Sequence, residues 1–114
     1  MQVFKFELKL KELEVELSGA KYVLRELTGK QRDKYLDTVA KRVNYVNGQQ
    51  AGMTSLSGLQ SCLLSMCLID SDGNAVKEAV IADFPGSVQS KLFKMAQDLS
   101  GLNEGEDSQE AKND

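Results

Sequence analysis

The sequence predicts an α+β fold: an N-terminal antiparallel β-hairpin or meander, then a bundle of three or more helices, then a mobile acidic C-terminal tail. Three observations carry that prediction. Apolar and charged residues alternate with a period of two from Phe4 into the Tyr22–Arg25 stretch, the period lengthens to 3.6 after Leu27, and beyond Leu102 apolar residues almost vanish. The 114 residues suit one domain, assigned to 1–102, with 103–114 as a disordered tail.

The opening segment sets Phe4, Phe6, Leu8 and Leu10 against Lys5, Glu7 and Lys9, the pattern of a half-buried strand. Parity then reverses. Leu13, Val15 and Leu17 become the apolar set and Glu12, Glu14 and Glu16 the charged one, which requires a turn or bulge near Lys11 and Glu12. A two-residue Ser18-Gly19 turn would place Leu17 opposite Ala20, Val15 opposite Tyr22 and Leu13 opposite Leu24 on one face. The same register sets Glu16 against Lys21 and Glu12 against Arg25 on the other. Leu, Lys and Glu also favour a helix, and the stretch from Leu8 to Leu17 has no breaker. Two independent patterns choosing one register favour the hairpin.

Thr28 and Gln31 have the spacing of a capping box, so a helix should start there. Tyr35, Leu36, Val39, Ala40, Val43 and Val46 recur along one stripe, and Asn47-Gly48 supplies a stop. Small and polar residues from Gln49 to Gly58 read as a loop. In the next helix Leu56, Leu59, Leu63, Leu64, Met66, Cys67 and Leu68 cover more than one stripe, which implies burial on several sides. The run Asp70-Ser71-Asp72-Gly73-Asn74 is a polar turn: counted from Asp70, a calcium loop would need Gly at Ala75 and Glu at Ile81. Val76 to Ala82 is ambiguous. Asp83-Phe84-Pro85 announces a further helix, with Val88, Leu92, Phe93, Ala96 and Leu99 as its apolar face and Gly101 as its left-handed terminator.

Charge is uneven. The net charge of −3 combines a tail with five acidic residues against Lys112 and a stretch from Lys21 to Arg42 with seven basic residues against three acidic ones. A basic stretch so interleaved with acids reads as a solvated helix face. No apolar run is long enough to span a membrane, and Lys5, Glu7 and Lys9 interrupt any secretory signal, so a cytoplasmic protein is expected. Cys62 and Cys67 are five residues apart on a helix, roughly 140° around its axis, and so poorly placed to bond to each other. With no His in the chain they lack partners for a zinc site and read as small buried hydrophobes. The absence of His also removes the usual general base, and the glycines fit neither the dinucleotide nor the P-loop spacing. No enzyme and no cofactor are expected.

The hairpin ending in Tyr22-Val23-Leu24-Arg25-Glu26-Leu27-Thr28, the helix from Gln31 to Val46, the turn Leu68-Ile69-Asp70-Ser71-Asp72-Gly73 and the closing run from Phe84-Pro85 to Leu99-Ser100-Gly101-Leu102 together resemble a tail assembly chaperone of long-tailed, siphovirus-type bacteriophages or prophages. The resemblance spans most of residues 12–102. It implies a protein of the host bacterial cytoplasm that oligomerises, coats the tape measure protein, helps recruit the tail tube protein and is absent from the finished virion. It also implies a longer form, made by ribosomal frameshifting, for which the segment from Asn103 onward would suit the junction. The resemblance fixes no functional residue. From the residues themselves, Leu56, Leu59, Leu63 and Met66 are the candidate protein-binding positions for helix-in-groove recognition, and the same residues would serve as plain core, the reading their composition favours. The sheet edge at Phe4 to Leu10 is a second candidate for self-association, with its lysines opposing uncontrolled pairing. A structural head-tail joining or minor tail protein is an alternative. A small DNA-binding regulator using Lys30, Arg32, Lys34, Lys41 and Arg42 is another.

Overall fold

The computed structural model describes residues 1–42, 45–46, 49–50 and 58–102. Its first regular elements are the strands β1 (Glu12–Leu17) and β2 (Ala20–Arg25), antiparallel in the register that the side chains dictate: Leu17 faces Ala20, Val15 faces Tyr22 and Leu13 faces Leu24. Ser18 and Gly19 have φ of 51° and 81°, so both central residues of the turn are left-handed, the twist a two-residue hairpin requires. On the charged face the Arg25 Nε donates to the Glu12 Oε2 at 2.7 Å.

The helix α1 (Gly29–Arg42) starts on a reciprocal capping box. The Thr28 amide donates to the Gln31 Oε1 at 3.0 Å, and the Gln31 amide donates to the Thr28 Oγ1 at 3.1 Å. Its apolar stripe is only partly used: Tyr35 is buried and Val39 packs against the core, but Leu36 and Ala40 are exposed. The helix also ends earlier than the periodicity predicts. Tyr45–Val46 is a strand, β3, paired antiparallel with β4 (Gln49–Gln50), Tyr45 facing Gln50 and Val46 facing Gln49. The helix stop expected at Asn47-Gly48 lies outside the described residues. Val43, Asn47, Gly48 and the segment 51–57 lie outside the described residues, as does the acidic stretch 103–114.

The helix α2 (Leu59–Cys67) forms the centre of the core, with Leu59, Cys62, Leu63, Leu64 and Cys67 all buried. It packs against α3 (Glu78–Ala82) and α4 (Gly86–Leu99) and touches α1 and β2. Leu68, expected to close this helix, instead begins the strand β5 (Leu68–Ile69), which pairs antiparallel with β2 through Leu24–Leu68 and Val23–Ile69. The sheet order is therefore β1-β2-β5. The polar turn follows as predicted: the Asp70 carboxylate accepts from the amides of Asp72 and Asn74 at 3.0 and 2.9 Å.

Asp83 does not cap the last helix. It ends α3, and Pro85 occupies the position before α4, where its fixed φ and missing amide cost nothing. The face of α4 is the one the spacing predicts: Leu92 and Ala96 are buried, and Val88, Phe93 and Leu99 pack around the core. At its end Gly101 has φ of 72°. The Leu102 amide reaches the Gln97 carbonyl at 2.9 Å and the Gly101 amide the Asp98 carbonyl at 3.3 Å, the paired bonds of a Schellman ending.

The expected strand at Phe4 to Leu10 is absent. Residues 1–11 have no regular structure, and Phe4, Phe6 and Leu8 are 72%, 83% and 101% exposed. Alternation encodes a strand's two faces but not its partner. Among the described residues no element pairs with this segment.

Candidate protein-binding surface

The sheet separates charge from apolar surface. Glu12, Glu14 and Glu16 project from one face of β1, with Lys21 and Arg25 beside them on β2; Leu13, Val15 and Leu17 project from the other, toward α4. Two apolar hollows lie between that face and α4. One, of about 330 Å³, is lined by Leu17, Tyr22, Phe84, Pro85 and Val88, with Glu16 and Ser18 also on its wall; the other, of about 300 Å³, by Leu13, Met95 and Leu99, with Lys11 and Asp98 at its margin. They sit at opposite ends of β1, a strand with β2 on one side and no strand on the other among the described residues. An open strand edge with apolar hollows beside it offers backbone bonds and side-chain pockets together, the two ingredients of strand-addition recognition.

The candidate positions on α2 are placed differently. Leu63 is fully buried and Leu59 is 8% exposed, both within the single chain's own core. Met66 is partly buried and packs on the rim of that core, and Leu56 lies outside the described residues. Leu59 and Leu63 are thus taken up by packing within this chain; sequence composition marks a helix buried on several sides without saying what buries it. The surface around β1 was less visible in the sequence. Its signal was the parity reversal at Lys11 and Glu12, where the exposed segment gives way to β1.

Reactive chemistry is subdued. Cys62 and Cys67 are buried and not disulfide-bonded. Burial pushes the Cys67 thiol up to about 11 despite a hydrogen bond with Ser100 that acts the other way. Tyr35 is pushed up to about 12 by burial first, and then by the charges that Cys62 and Cys67 would carry. Neither group is an activated nucleophile. No cluster of metal-ligating side chains occurs among the described residues. The basic residues of α1 are interleaved with acids, Lys41 lying 3.2 Å from Asp37 and Arg32 3.6 Å from Asp33, so among the described side chains the helix presents no uniform positive stripe to a phosphate backbone.

No protein-family model matches the sequence, and no curated protein does. Among solved structures, that of the bacteriophage HK97 tail assembly chaperone matches over 79% of this chain and 85% of its own, with a TM-score of 0.55 and 26% sequence identity. The chain resembles a siphophage tail assembly chaperone. Coverage of this extent takes in much more than one supersecondary unit, so the likeness to the HK97 chaperone is one of architecture and not of a shared motif. The family resemblance read from the sequence agrees with this structural likeness, although the helix expected from Gln31 to Val46 ends at Arg42. No helix among the described residues is long and apolar enough to cross a membrane.

Proposed function

We propose that this chain is a phage tail assembly chaperone. It binds the tape measure protein in the cytoplasm of the host bacterium, promotes assembly of the tail tube and leaves before the virion is complete. The likeness to the HK97 tail assembly chaperone carries this reading.

The surface chemistry suits a binding role. A tape measure protein is a long client with recurring apolar helix faces, and a chaperone for it needs apolar surface that a client can reach. The hollows lined by Phe84, Pro85 and Val88 and by Leu13, Met95 and Leu99 supply such surface. Met66, at the rim of the core, and Leu56, which precedes α2 in the sequence, are proposed as further contacts, with Leu59 and Leu63 anchoring α2 in the core. The acidic stretch from Asn103 onward is proposed as the junction to a frameshifted longer form that engages the tail tube protein.

Co-expression of this chain with the tape measure protein of the phage that encodes it tests the proposal. The expected result is a soluble complex that copurifies through size-exclusion chromatography, while the tape measure protein alone aggregates. Aggregation of the tape measure protein unchanged by the presence of this chain would contradict it.

A further inference from the structure

We propose that residues 4–9 of one copy of this chain form a β-strand on the open edge of β1 in a second copy. The motivating feature is a large expenditure of apolar surface on solvent: Val3, Phe4, Phe6 and Leu8 are all at least 71% exposed, in a segment whose alternation already has the form of a strand. The open edge of β1 offers the complementary half.

One antiparallel register satisfies both faces of that edge. With Phe4 opposite Leu17, Phe6 opposite Val15 and Leu8 opposite Leu13, three apolar pairs lie on the side that faces α4. Phe4 then stands beside the hollow of Phe84, Pro85 and Val88, and Leu8 beside that of Met95 and Leu99. On the other face Lys5 falls opposite Glu16 and Lys9 opposite Glu12. With the pairing inside the hairpin this gives two ladders of alternating sign, Lys5–Glu16–Lys21 and Lys9–Glu12–Arg25. Glu7 opposite Glu14 is the one like-charge pair.

The same chain cannot supply this strand to its own edge. In this register the connection would be a two-residue turn at Leu10-Lys11, which needs positive φ at its first residue or at both. Ser18 is the only non-glycine residue with positive φ among the described residues. Lys11 is moreover held as a continuation of β1: its carbonyl accepts from the Glu26 amide at 2.8 Å, and its amide donates to the Glu26 Oε1 at 2.9 Å. The occupant is therefore another copy. Donor and acceptor surfaces differ, so the association is directional.

This inference concerns the purified chain alone and does not depend on the client, so its failure would leave the chaperone reading standing. Sedimentation velocity of the full chain over a range of concentrations should show species heavier than one chain. The double variant Phe4→Asp/Phe6→Asp should sediment as one chain with an unchanged far-UV circular dichroism spectrum, since both side chains are exposed in the single chain. Glu7→Lys should shift association to lower concentration. For the register, mixed chains with Lys5→Cys on one and Glu16→Cys on the other should form a disulfide-linked pair, and Lys5→Cys with Glu12→Cys should not, being about 13 Å out of step along the strand. A wild-type chain that is monomeric throughout, a double Asp variant that keeps the wild-type mass, or cross-linking of Lys5→Cys to Glu12→Cys in preference to Glu16→Cys would overturn the proposal.

Discussion

Leu63 is where the core account and the direct-contact account of α2 part most clearly, and Leu63→Ala separates them. The side chain is fully buried on a helix that packs against α3 and α4 and touches β2. Truncation removes three carbons whose neighbours, held by several elements at once, cannot collapse into the space. Leu→Ala substitutions at such sites cost about 3–4 kcal/mol, transfer and cavity terms together. At about 4 °C or more per kcal/mol for a domain of this size, the thermal midpoint falls by roughly 12 °C or more. Urea unfolding followed by far-UV circular dichroism measures the loss, and an unchanged m-value shows that the same surface is exposed on unfolding. The exposed Lys91 on α4 is the control, with Lys91→Ala staying within about 0.5 kcal/mol of wild type. A loss below about 1 kcal/mol at Leu63 would refute the reasoning, because a side chain so cheaply removed is not closing the core.

Three further outcomes follow from the same structure. Thr28→Ala, which removes one half of the reciprocal cap on α1, should cost about 1 kcal/mol in the same urea assay. Glu12→Gln should cost no more than about 0.5 kcal/mol despite the 2.7 Å contact with Arg25, because both side chains are more than two-fifths exposed and water screens the pair. Alkali should destabilise the fold: Cys67 keeps its proton to about 11 against an ordinary 9.0, and Tyr35 to about 12 against 10.0. The native state then binds more protons than the unfolded chain in those windows, so this contribution is complete below pH 9.0 and is lost as pH rises through about 11 and then about 12. Urea midpoints measured against pH should decline over that range, and Cys67→Ala should flatten the lower part of the decline.

The elements that could be read from the residues are those in which two separate signals agree. The hairpin register was overdetermined, because the parity that pairs Leu13 with Leu24 also pairs Glu12 with Arg25. The α1 start and the α4 end were legible because Thr28, Gln31 and Gly101 satisfy backbone groups by local geometry that no distant residue alters. Where a segment depends on what it meets, the residues were silent. Phe4 to Leu10 alternates as a strand does, yet a strand exists only with a partner. β5 is two residues long and follows α2 without a break, too short for any period to register. Val46 continues the helical spacing of Tyr35 and Val39, yet Tyr45–Val46 is a strand paired with Gln49–Gln50, a partner that no period in the helix can announce.

The candidate site shows the same limit in another form. A leucine that closes a core and a leucine that greets a partner are the same residue to any periodicity, so α2 drew attention by its apolar content while Leu59 and Leu63 belong to the interior. The hollows beside β1 are assembled from residues far apart in sequence, such as Leu13 with Met95 and Leu17 with Phe84, and no local pattern announces them.

A chaperone of tail assembly acts on its client and then departs, which a component of the particle does not do. Quantitative mass spectrometry of an infected-cell lysate and of purified virions from the same culture tests that distinction directly. The account predicts this chain in abundance in the lysate and its absence from the particles. A fixed number of copies per virion, retained through purification, would contradict it and favour a head-tail joining or minor tail protein.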